Sequence, residues 1–84
     1  MDILEYMDGL LAGTIEHGDA PNRWIVREED WQALAQVYAG NDALTKGVFA
    51  ARQYKDVPVE FGNLAEREVV ILVTDLDGRR FSAP

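Results

Sequence analysis

The chain has 84 residues, 48% of them apolar, with two tryptophans and no cysteine. A chain of that size forms one domain (residues 1–84) with a modest core, and it has neither disulfides nor thiolate chemistry. The net charge of −7 disfavours direct binding to nucleic-acid phosphates, which takes lysine and arginine clustered on one face.

The first helix is signalled at once. Asp2 can cap it, with Glu5 three residues on as in a capping box. Ile3, Leu4, Met7, Leu10 and Leu11 follow the spacing of one helical face, which Thr14 and Ile15 continue. The helix runs either to His17, with Gly18 as its stop, or only to Gly13. Asp2, Glu5 and Asp8 lie off the apolar stripe. No membrane-length apolar run and no basic signal-peptide region is present, so cytoplasm is the expected compartment.

Residues 18–22 read as a loop and Arg23–Arg27 as a short strand. A second helix comes next. Glu28, Glu29 and Asp30 fall in its first turn, where the positive end of the helix dipole favours acids. Trp31, Leu34, Ala35 and Tyr38 share a face, and Gly40 ends the helix. Residues 42–55 are ambiguous. Read as a helix, they place Ala43, Leu44, Gly47, Val48, Ala50, Ala51 and Tyr54 on one face of mostly small residues. Phe49 then lies opposite, an exposed aromatic between Lys46 and Arg52 suited to partner contact. Read as a strand, or as a rotated helix, the same segment buries Phe49.

Val57–Phe61 alternates as a strand. Pro58 cannot donate to a ladder, which predicts an edge strand or a position at the strand's start. Val69–Val73 is the longest apolar run, rich in β-branched residues and apolar at both parities. That predicts a central strand covered on both faces. The strand extends to Leu76. Asp77-Gly78 then suggests a type I′ hairpin turn to a last strand, Arg79–Ala83. A two-residue turn sets Asp75 opposite Arg80 and Thr74 opposite Phe81.

The run from Val70 to Gly78, Val-Ile-Leu-Val-Thr-Asp-Leu-Asp-Gly, resembles the first motif of haloacid dehalogenase-like phosphatases. The resemblance implies Asp75 as nucleophile, Asp77 as general acid/base and Mg²⁺ alongside. The motif here departs from that family's pattern. It stands near the end of a short chain, with Arg79 where the family usually has Thr, so the hairpin reading is preferred. His17 is the lone histidine and Ser82 the lone serine, which gives poor support for a nucleophile–base pair. Glu16, His17 and Asp19 make a weak metal set. No cofactor, metal or catalytic residue is assigned, and no enzyme activity is expected.

The fold expected is α+β: two to three helices on one face of a small, mainly antiparallel sheet, in the order α-β-α-α-β-β-β, ending in a hairpin. Acidity is segregated. Residues 1–30 hold eight acids against two arginines, and residues 31–84 hold seven acids against six bases. The function expected is stoichiometric binding to a larger, possibly basic or nucleic-acid-binding protein, as an inhibitor or adaptor. Phage anti-restriction and anti-CRISPR inhibitors share this size and acidity. Asp2, Glu5, Asp8, Glu28, Glu29, Asp30 and Phe49 are the candidate contact residues, with the six acids able to mimic nucleic-acid phosphates. The alternative is a structural protein whose exposed face forms a homo-oligomer.

Overall fold

A computed structural model describes residues 2–76 and, as backbone only, residues 78–83. The elements are α1 (Ile3–Glu16), β1 (Pro21–Val26), α2 (Glu28–Val37), α3 (Asp42–Leu44, continuing as a π-helical turn over Thr45–Ala50), β2 (Gln53–Tyr54), β3 (Val57–Phe61), β4 (Val70–Thr74) and β5 (Gly78–Ala83). The strands form one sheet in the order β2-β3-β1-β4-β5. Only β1 and β3 run parallel; the other neighbours are antiparallel. The class is α+β, as the alternation of periodicities predicts.

Both ends of α1 are explained by its sequence. The Asp2 carboxylate accepts the Glu5 amide at 3.1 Å. At the other end Gly18 takes φ +75°, a conformation that costs glycine little. Its N–H donates to the Ile15 carbonyl and that of Asp19 to the Thr14 carbonyl, closing a Schellman motif after His17. The helix therefore passes Gly13 and runs its full expected length. Leu4 and Met7 are buried against the sheet, whereas Ile15 is 63% exposed.

Burial on the sheet sorts by parity. Trp24 pairs with Val59 on one side and Leu72 on the other. Trp24, Val26, Val57, Val59, Val70 and Leu72 form one cluster with Leu4, Met7, Trp31, Leu34, Phe49 and Tyr54. The helices thus cover a single face. On the opposite face Ile71 and Val73 are also buried, so β4 is covered on both sides as its apolar run requires. The centre of the sheet, however, is β1 rather than β4.

The link from β3 to β4 passes the end of β1 and is held by one cation. Arg27 donates to the carbonyls of Ala65 at 2.7 Å, Glu68 at 2.8 Å and Leu64 at 3.3 Å. These bonds satisfy carbonyls that have no ladder partner. Gly62 donates to the Val26 carbonyl, and a Cβ on it would lie 2.8 Å from Cγ2 of Ile25.

Two expectations are corrected, and a third is narrowed to one of its alternatives. Residues 42–55 are neither one regular helix nor a strand. They begin as a helix capped by the Asn41 side chain, widen into a π turn, and end in β2. Widening a helix rotates the residues within and beyond the widened turn, which brings Phe49 inward, while Leu44, Val48 and Tyr54 still pack on the core. Ala43, Gly47, Ala50 and Ala51 are exposed. Phe49 turns inward and is only 7% exposed. Its ring centroid lies 4.9 Å from that of Trp31 and 6.1 Å from that of Tyr38.

Second, the terminal hairpin has another register. Leu72 pairs with Phe81 and Thr74 with Gly78, with an irregularity at Leu72/Val73 that leaves Arg80 as the extra residue of a bulge. Asp75 therefore does not oppose Arg80. Its amide donates to the Ala20 carbonyl and its carboxylate accepts from Asn22 at 3.0 Å. The expected I′ turn falls on Asp77, which lies outside the described residues.

Of the two expected placements of Pro58, the edge strand is excluded because the short β2 flanks β3. The other reading of Pro58 holds: it is the second residue of β3. Val59 donates to Arg52 on the β2 side, so by alternation the Pro58 nitrogen faces β1, just ahead of the first parallel pair, Trp24–Val59. The missing donor thus costs no ladder bond.

Gly62→Ala pushes Ile25 from its place over the sheet. It should lower stability by about 1–3 kcal/mol, read as a reduced midpoint in denaturant unfolding. An unchanged midpoint would mean that the close approach at Ile25 relaxes freely.

Candidate partner-binding surface

The six acidic residues expected on one display are divided by the fold. Asp2 is half-buried and Asp8 exposed, and each accepts a hydrogen bond from a tyrosine of another element. The Tyr38 hydroxyl, just past α2, donates to Asp2. The Tyr54 hydroxyl, from β2, donates to Asp8 at 2.7 Å. The Tyr38 bond, helped by the backbone amides of Glu5 and Leu4, holds the Asp2 carboxyl below its ordinary value of 3.8. The same bond pushes the Tyr38 phenol up. Burial, then the bond to Asp8, pushes the Tyr54 phenol up further. Both phenols keep their protons and act as donors at neutral pH.

Asp30 is paired with Arg27 at 3.5 Å. Arg23, the other arginine of the first third, has Nε 3.0 Å from the Glu60 carboxylate. That contact is an ion pair without the alignment of a hydrogen bond. Both local cations are thus engaged within the chain. Glu5, Glu28 and Glu29 remain exposed, with no salt bridge to any of them among the described residues. Glu28 and Glu29 open α2 beside a shallow hollow shared with Phe61, Gly62 and Asn63. Phe49, the expected aromatic contact, is in the core and is no part of the surface.

An open groove of about 520 Å³ runs between α1 and α2. Ile3 and Tyr6 form one wall, Ala33, Leu34 and Val37 the other, and Val69 adds to the lining. Asp2 and Asp30 supply the only charged side chains among its lining residues. Val37 is 75% exposed, an unusual use of a β-branched residue on a helix surface. Sequence reasoning passed over this groove. Its signal is that Ala33 and Val37, four residues apart, stand beside the core stripe of Trp31, Leu34 and Tyr38 and broaden the apolar face.

Of the remaining candidates, His17 is exposed. The Asp19 carboxylate accepts from the amides of Ala20 at 2.8 Å and Leu76 at 3.0 Å. Among the described residues no group of three or more His, Asp or Glu could hold a metal ion. Asp75 lies in the turn after β4 and Asp77 is outside the described residues. Among the described residues no helix is long and apolar enough to cross a membrane. Comparison with protein-family models, curated proteins and solved structures finds no match.

The Asp2–Tyr38 bond makes a pH-dependent prediction. A carboxyl whose folded pKa is lowered adds stability that is fully present above its unfolded value, near 3.8, and is lost as pH falls through the folded value. Tyr38→Phe keeps the ring against Phe49 and removes only the donor. It should therefore lower the melting temperature at pH 7, with the gap to wild type closing below about pH 3.8. A gap that persists unchanged to pH 2 would contradict the bond's role.

Proposed function

We propose that this protein is a small acidic binding module, an inhibitor or adaptor that associates stoichiometrically with a larger, basic partner. The observation that carries the reading is the disposition of charge. Residues 1–30 hold eight acids and two arginines, and both arginines are tied to acids within the chain. Among the described residues no lysine or arginine other than Arg27 forms a salt bridge with an acid of residues 1–30. Such a surface attracts and steers a cationic partner. Glu5, Glu28 and Glu29 are its most available members. Asp2 and Asp8 contribute charge while serving the fold, and nucleic-acid mimicry draws on fewer fixed carboxylates than the six counted in the sequence. Inhibitors of phage anti-defence type share these bulk properties.

The edge strand β5 favours a second reading. Its six residues, Gly78–Ala83, form one border of the sheet, and an open edge can pair with another copy. Sedimentation separates the two readings. A self-assembling protein gains mass with concentration, whereas an acidic module stays monomeric until its partner is added.

The direct test captures partners from the native cell or its host and measures association with the purified partner. Glu28→Lys with Glu29→Lys leaves the Asp30–Arg27 pair in place. It should slow association on the order of tenfold at low salt, and added salt should slow the wild type similarly. Equal rates for the variant and the wild type at low salt would sink the electrostatic reading.

A further inference from the structure

We infer that the groove between α1 and α2 receives an amphipathic helix of the partner, with its apolar stripe on the groove and lysine or arginine side chains at its edges. The inference rests on the partner-binding reading and gives it a location. Along α2 the lining residues Asp30, Ala33, Leu34 and Val37 stand at i, i+3, i+4 and i+7, a single stripe facing the gap. Ile3 and Tyr6 of α1 face it from the other side. Two helices with an apolar gap between them form the receptor half of a helix-in-groove contact, in which a third helix inserts side chains at the same spacing.

Three alternatives fit less well. An added strand needs a row of open backbone donors and acceptors, and helices spend theirs internally. A second copy docked groove to groove would bring the Asp2 and Asp30 carboxylates of one copy towards those of the other, in a chain already at −7. An anionic segment meets the same repulsion. A cationic flank instead meets Asp2, which the Tyr38 hydroxyl keeps ionised. It also meets Asp30, whose contact with Arg27 at 3.5 Å is loose and leaves room for another donor. Val37, Ala33 and Ile3 supply the surface such a helix removes from water.

The probe is a synthetic amphipathic helix of about 14 residues, roughly four turns, with leucines on one face and lysines on the others. It is compared with a scrambled peptide of identical composition and charge, by titration against the isotopically labelled protein with amide shifts as readout. The shifts should gather at Ile3, Tyr6, Ala33, Val37 and Val69. The double variant A33Q/V37Q keeps the net charge and changes only exposed helix positions. It should bind at least about tenfold more weakly, as for removal of central apolar anchors. The scrambled peptide should bind no better than that. Absence of binding, shifts centred on another face, equal affinity of the double variant, or equal binding of the scrambled peptide would each overturn the inference. Failure here alongside a slowed E28K/E29K association removes the groove and leaves the acidic module standing. A filled groove with an unchanged E28K/E29K rate does the reverse.

Discussion

Tyr54 ties β3, β1 and α1 together. Its backbone pairs with Val57 and closes the β2–β3 hairpin. Its carbonyl accepts the indole N–H of Trp24 at 3.2 Å, at the middle of the sheet. Its ring lies 6.4 Å from that of Trp24, and its hydroxyl reaches Asp8 on α1. Trp24 is fully buried, and the Tyr54 carbonyl gives its N–H an acceptor, which the buried Trp31 N–H lacks among the described residues. β2 presents that acceptor because the chain returns as a tight hairpin beside β3. The hairpin follows the π turn that carries Phe49 to Trp31, and its Tyr54 hydroxyl meets α1 at Asp8.

The parts of the fold that were readable in the sequence are those governed by local rules. Asp2 and Gly18 mark α1 because capping and positive φ are properties of single residues. Trp31, Leu34 and Tyr38 mark α2 by period, and Val57–Phe61 alternates over its whole length. The segment around Tyr54 was illegible because its turn, Lys55-Asp56, takes positive φ at two residues other than glycine. Aspartate tolerates that conformation but does not announce it, and lysine announces it still less. The terminal hairpin was half legible. The pairing of the apolar run with the last strand was readable from Asp77-Gly78 between two strand-like runs. The register was not, because a bulge at Arg80 inserts a residue that no pattern of apolar and polar positions records.

The surface shows the same division. Charge could be counted from the sequence, yet which charges the fold consumes could not. Asp2 and Asp8 look like neighbours of Glu5 on one polar helix face. Their tyrosine partners lie 36 and 46 residues away, and such pairs have no local signature. The groove was hidden for a related reason. It is made of an ordinary wide apolar stripe on α2 and an ordinary one on α1, and only their placement side by side leaves Val37 outside the core.

The central claim is that the acidity of α1 is divided, part of it holding the helix to the sheet and part left for a partner. A double-mutant cycle on Asp8→Ala and Tyr54→Phe measures the first share directly, by denaturant unfolding of the two single variants and the double. The account predicts a coupling of about 1 kcal/mol or more, in the range of a hydrogen bond to a charged group. Strictly additive losses would show that Asp8 is only another surface carboxylate and that the division does not exist.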